Sequence, residues 1–214
     1  MSRGGLYNVN PLATADIFWN ASALIAQRLF QNRFEVPSEI QDNQVWVVTT
    51  AVTILGFLAY RILIDSWLRS DKFLTGAAKV AFDDTLRFTV MFTIVQLLSG
   101  GSLTDSEWIK STGIFTGSLV FYDLLLHNFV SRKTKGLNQN VSMAIGDVLK
   151  FGVAFVLHNY AIKGPNAFDD NWRITTLGYL TGVAVYDLFL AKLLVGESGV
   201  FDEPTMVAVE APHA

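Results

Sequence analysis

From residue 44 to residue 195 the chain alternates long apolar runs with short polar turns. The runs cover roughly 44 to 68, 77 to 100, 108 to 131, 140 to 163 and 172 to 195. At about 1.5 Å of rise per residue, each is long enough as a helix to cross a hydrocarbon layer of about 30 Å. In VWVVTTAVTILGFLAY and RFTVMFTIVQLL the apolar positions occur all round the helix rather than on one stripe, a pattern that a helix facing water does not carry. The turns SGGSLTDSE, SRKTKGLNQN and KGPNAFDDN are too short for crossover connections, so consecutive helices are expected to be antiparallel neighbours. The predicted fold is an all-α integral membrane protein with five transmembrane helices in an antiparallel bundle.

Ahead of these runs the period changes. Thr14 reads as an N-cap with Asp16 in the first turn, and apolar residues recur at Ile17, Phe18, Ala21, Leu24, Ile25 and Leu29. They form one stripe opposed by Asn20, Gln27, Arg28 and Gln31, which predicts an amphipathic helix lying in the membrane interface. Pro37 and the polar SEIQDNQ end it. Three regions follow: a lead-in with the interfacial helix (residues 1–43), the membrane bundle (44–196), and an acidic, flexible C-terminal tail (197–214). The first residues lack the basic start and apolar core of a cleaved signal, so insertion is expected through the helices themselves.

Composition sharpens the membrane reading. Hydrophobic residues make up 51% of the chain and charged residues 16%, against about 25% charged in ordinary soluble domains. The net charge of -3 and the lack of a basic face argue against a nucleic-acid partner. With no cysteine, disulfides, thiolate metal sites and cysteine nucleophiles are excluded. Arg69, Lys72 and Lys79 in one loop and Arg132, Lys133 and Lys135 in another lie on one side, whereas Lys110, Lys163 and Arg173 opposite are balanced by acids. The positive-inside rule then places the C-terminus in the cytoplasm and the N-terminal helix on the opposite face, although Arg3, Arg28 and Arg33 argue the other way.

The runs are also internally related. AFDDTLRFTVMF (81–92) aligns with AIGDVLKFGVAF (144–155), so that Asp84 meets Asp147 and Arg87 meets Lys150. In the following runs Tyr122-Asp123-Leu124 meets Tyr186-Asp187-Leu188, and Tyr60-Arg61-Ile62 fits the same slot in the first. The unit is a pair of helices, repeated about twice, with the fifth run starting a third copy. Such copies keep one orientation and are related by rotation about the membrane normal.

Topology brings the charges of these runs to one depth. Arg61, Asp83, Asp84, Arg87, Asp123, His127, Asp147, Lys150, Asp187 and Lys192 all fall toward the basic-loop side, roughly a third of the way into a layer of about 30 Å. A charge in hydrocarbon costs about 2.5 to 3.5 kcal/mol on insertion scales, so these residues should face inward and pair. Asp84 with Arg87 and Asp147 with Lys150 have helical pairing distance, and Asp123 has His127 one turn on. Asp123 and Asp187 otherwise have to reach across, with Arg61 as a candidate partner of Asp123. The layer reads first as ion pairs fixing helix register, and second as a relay for protons or cations.

Gly113 with Gly117 and Gly178 with Gly182 have the small-xxx-small spacing of close helix contacts. Trp46, Trp67, Trp108 and Trp172 lie near run ends as interfacial anchors. His127 and His158 sit in different runs toward opposite faces, and no nucleophile, metal or nucleotide motif occurs. No catalytic residue, metal or cofactor is therefore expected. The expectation is a non-enzymatic structural subunit of a membrane-associated assembly, such as the internal membrane and capsid of a large DNA virus or an organelle membrane complex. Its contacts would be the bilayer, other protein subunits and copies of itself as a homo-oligomer. The alternative is a small proton or cation conductor using the intramembrane carboxylates.

Overall fold

A computed structural model of the protein describes residues 11–32, 40–65 and 74–191. Arg3, Arg33, Trp67, Arg69, Lys72, Lys192 and the acidic tail lie outside the described residues. Six helices account for almost all of what is described, and no strand occurs among these residues. They are α1 (Pro11–Gln31), α2 (Ile40–Tyr60, continued by a π-helical turn Arg61–Asp65) and α3 (Gly76–Leu98). α4 comprises Ser106–Phe121, a π turn Tyr122–Leu126 and His127–Thr134. α5 (Gln139–Lys163) ends in a 3-10 turn Gly164–Asn166, and α6 comprises Asp170–Val185 and a π turn Tyr186–Leu190.

Local chemistry explains the starts. The side chains of Asp105, Asn138 and Asp169 accept from the backbone N–H of Glu107, Asn140 and Trp172, satisfying donors that the first turn of a helix leaves open. Gly164, at φ 66 after α5, supplies the left-handed residue that turns the chain toward α6.

The helices form a closed ring: each packs on the next in chain order, and α6 packs back on α1. This corrects the expectation for the N-terminal segment. α1 does not stand apart from the other helices; it packs on α6 and α2 as the sixth member of the bundle. The stripe has the opposite sense to the one predicted, because Asp16, Asn20 and Ala23 are buried while Phe18, Ile25 and Leu29 are exposed. Asn20 resolves its burial by donating from Nδ2 to the Asp16 carbonyl at 2.8 Å. The start of α1 also lies beside the end of α2, since Arg61 Nε is 2.6 Å from Asp16 Oδ2. The N-terminal helix thus begins at the same end of the bundle as the Arg132–Lys135 loop, not at the opposite one.

Of the two glycine pairs, one makes the predicted close contact. A Cβ added at Gly178 would lie 2.8 Å from Gln27 Cα, and one at Gly182 would overlap the Ser22 carbonyl oxygen and Ala23 Cα. Their bare surface lets α1 seat against α6. Gly113 and Gly117 face open space instead. The reason is register: Tyr122 and Tyr186 align at an offset of 64, whereas the two glycine pairs align at 65. One residue is roughly 100° around a helix. The residue in register with Gly182 is Ser118, and in the first unit it is Gly56, where a Cβ would come within 2.7 Å of Met91 Cα.

Inside the ring, Phe57, Phe88, Phe115 and Phe151 form the core with Met91, Leu119 and Ala154, flanked by Trp19, Phe92, Phe155 and Tyr179. The rings pack edge-on or tilted, as in Phe57–Phe88 at 5.3 Å and Trp19–Phe151 at 5.0 Å. The outside is also apolar: Leu63 is 72% exposed, Phe189 62%, and Ile62, Leu125 and Phe129 are similarly open. Three helices, Gln44–Asp65, Ser106–Thr134 and Gln139–Asn166, are long and apolar enough to cross a membrane.

Candidate functional site

Each helical pair carries the same two signatures. The first helix has Ala-x-x-Asp near its start, at Ala13/Asp16, Ala81/Asp84 and Ala144/Asp147. The second has the repeated tyrosine at its π turn, at Tyr60, Tyr122 and Tyr186, followed by Arg61, Asp123 and Asp187. The units are therefore α1–α2, α3–α4 and α5–α6, three full copies rather than two and a half. Ala13-x-x-Asp16 was the overlooked signal, and it lies in the segment read as interfacial.

The π turns explain how charge enters the core. Under-wound turns leave the regular α-helical ladder locally, and here two successive residues, the tyrosine and its neighbour, are both buried in every copy. The aliphatic residues after them, Ile62, Leu63, Leu124 and Leu125, point outward. The charged group faces in and the apolar group faces out within one turn, the reverse of a soluble helix.

The charges form a belt that runs between units. Arg61 donates from Nε and Nη2 to the two oxygens of Asp16, at 2.6 and 3.2 Å, and lies 3.3 Å from Asp65. Arg87 lies 3.6 Å from Asp16 and 2.5 Å from Asp84. Lys150 Nζ contacts Asp84 closely and lies 2.8 Å from Asp123 Oδ1, the latter as an ion pair without hydrogen-bond alignment. The tyrosines repeat this unit-to-unit reach. Tyr60 donates to Asp83 of the second unit, and Tyr122 donates to the Gly146 carbonyl of the third at 2.9 Å. Asp83 and Gly146 are equivalent positions, each directly before the shared aspartate.

Several expected pairings change as a result. Asp84–Arg87 forms within its helix as anticipated. Arg61 pairs with Asp16 and Asp65 rather than with Asp123, because α2 and α4 are separated in the ring by α3. Lys150 turns away from Asp147 toward Asp84 and Asp123, where two carboxylates share it. His127, one turn beyond Asp123, lines a cavity instead of capping the acid. His158 is hydrogen-bonded to Ser111 Oγ at 2.7 Å.

That cavity, about 50 Å3, is lined by Val80 and Val130 as well as by Asp123, His127, Asp147 and Lys150. It has room for a water molecule or two. Comparison with known protein families, characterised proteins and solved structures finds no match to the chain.

Asp187 differs from the other buried acids of the belt in having no ion pair among the described residues. It is 1% exposed, its Oδ2 has no hydrogen-bond partner, and the Tyr186 hydroxyl beside it is likewise buried and unpartnered. Its acidic neighbour is Asp147 of α5. The position on α1 equivalent to Arg87 and Lys150 is Trp19, whose ring packs on Phe151 and Tyr179.

Proposed function

We propose that the chain is a non-enzymatic, multi-pass membrane protein acting as a structural subunit of a larger membrane-associated assembly, with the whole six-helix ring embedded in the bilayer. The outward apolar surface supports embedding, since soluble proteins rarely expose contiguous apolar patches beyond a few hundred Å2. α3 carries Lys79, Asp83, Asp84 and Arg87, and α6 carries Asp187; these charges make each helix less apolar in composition even though the buried ones face the ring interior. By the positive-inside rule the Arg132–Lys135 loop supports an orientation with the belt and the start of α1 toward the cytoplasmic side.

The observation that carries the structural reading is how the belt is used. Seven of its side chains, Asp16, Arg61, Asp65, Asp84, Arg87, Asp123 and Lys150, are committed to one another. Beside them the axis is filled by aromatic rings, with Phe88 and Phe151 directly after Arg87 and Lys150. A conductor needs a continuous polar path, and this layer interrupts one. An internal membrane lining a viral capsid, or an organelle membrane complex, is the kind of setting that fits.

Extraction of the tagged, full-length chain from its native membrane in mild detergent tests the proposal. The expected result is a defined complex containing further polypeptides, and a monodisperse single chain alone contradicts it. In proteoliposomes the chain should pass no more protons or cations than empty vesicles. A flux abolished by Asp123→Asn in a folded protein would instead establish conduction.

A further inference from the structure

We propose that the outer face of the C-terminal end of α4 binds an anionic phospholipid, with Arg132, Lys133 and Lys135 taking the headgroup phosphate and Leu125 and Phe129 lying along an acyl chain. The site presupposes the bilayer embedding proposed above and adds to it a lipid class and a place. Helix phase builds it. After the π turn Tyr122–Leu126, the segment His127–Thr134 is regular α-helix, in which residues four apart share a face. Leu125, Phe129 and Lys133 thus follow one another along the outside: Leu125 is 63% and Phe129 61% exposed, and Arg132 and Lys133 are exposed beyond them. The other side of the same turns faces the cavity through Val130, Ser131 and Thr134, with Thr134 buried.

The cations of this face are left open. No Asp or Glu occurs between Asp123 and Asp147 in the sequence. Among the described residues, Arg132, Lys133 and Lys135 have no ion pair, and all three are exposed. The opposite end of the bundle is built differently: Lys110, Lys163 and Arg173 are matched there by Asp105, Glu107, Asp169 and Asp170, and Arg173 pairs with Asp170 at 3.3 Å. A cluster of positive charge without a protein partner is the complement of an anion, and arginine with lysine is the donor set that phosphate oxygens take.

Continuity with the apolar surface selects the ligand. From Leu125 to Lys133 the helix rises about 12 Å, so the face runs from hydrocarbon depth to headgroup depth. The Lys133 ammonium lies over the Phe129 ring, 5.8 Å from its centre, which joins the charged and apolar parts into one surface. Nucleic acid would meet too few cations here and would leave the apolar part uncovered. A phospholipid covers both, with its phosphate on the cations and its chain on Leu125 and Phe129. Anionic lipids are also concentrated in the cytoplasmic leaflet, the side to which the positive-inside rule assigns this end.

Native mass spectrometry of the full-length protein in detergent, titrated with phosphatidylglycerol or phosphatidylcholine, tests this. The first phosphatidylglycerol should bind the wild type more tightly than the first phosphatidylcholine. Arg132→Gln, Lys133→Gln and Lys135→Gln should each weaken phosphatidylglycerol by about fivefold, and together by about a hundredfold, with phosphatidylcholine unchanged. Lys110→Gln, at the other end, should alter neither. Equal affinity of the wild type for the two lipids, full affinity in the triple variant, or the same loss in Lys110→Gln would overturn the proposal. So would displacement of the lipid by an equal concentration of glycerol phosphate, which would mark a phosphate site rather than a lipid site. A preference absent from the wild type but gained when Glu197, Asp202, Glu203 and Glu210 are changed to Gln would assign the patch to the chain's own acidic tail, and would overturn it too. The embedding is checked separately: a chain released from its membranes by alkaline carbonate would refute the embedding itself, whereas a retained chain without lipid preference refutes the site alone.

Discussion

Two junctions of the ring share a backbone plan and differ in one side chain. Where the second unit meets the third, Lys150 sits between Asp84 and Asp123 and the charges close on one another. Where the third meets the first, the corresponding residue is Trp19, and Asp187 is buried with an oxygen unpartnered. At the first junction the repeated acids hold adjacent units together through a cation. At the second, no cation among the described residues pairs with Asp187, and helix packing carries the contact. There α1 seats its backbone directly on Gly178 and Gly182, and Trp19 enters the aromatic core. Helix packing in a membrane relies on such close backbone approach and on interhelix polar contacts, and the two junctions divide these means between them.

The comparison can be broken at either junction, and the largest effect is expected at the charged one. Lys150→Met leaves Asp123 buried without its cation and should destabilise the protein by about 3 to 5 kcal/mol, measured by unfolding in detergent micelles. At the glycine junction, Gly182→Leu drives a side chain into the Ser22–Ala23 backbone and should cost about 1 to 3 kcal/mol in the same assay. Gly117→Leu, one residue out of register and facing open space, should stay within about 0.5 kcal/mol of wild type. A comparable loss at both glycines would mean that the register separating them is wrong.

Much of the belt was legible because an aspartate or arginine inside an apolar run stands out whatever the helix phase. Arg61, Asp84, Asp123, Lys150 and Asp187 were all placed at one depth before their contacts were known, and all are buried. What was not legible is the partner of each. Pairing runs between units around a ring, and the order of helices in that ring depends on α1. That helix was misjudged because its inward residues, Asp16 and Asn20, look like the polar face of a surface helix, and its outward ones, Phe18, Ile25 and Leu29, look like a buried stripe. With an apolar outer surface the usual assignment inverts. The glycine pairs show a different limit: spacing within a helix was visible, but the face was set by the tyrosine register. The π turns had no sequence signal beyond the repeated Tyr-Asp/Arg-Leu/Ile itself.

The belt is a set of mutual ion pairs, and a double-mutant cycle between Lys150 and Asp123 tests that most directly. Lys150→Met, Asp123→Asn and the double variant are unfolded side by side in the same detergent. If the ammonium and the carboxylate neutralise each other, removing both charges restores much of what Lys150→Met alone loses, and the coupling energy lies in the upper part of the ~0.5 to 3 kcal/mol range for contacting residues. Losses that simply add would show that the two groups act independently and would contradict the clamp.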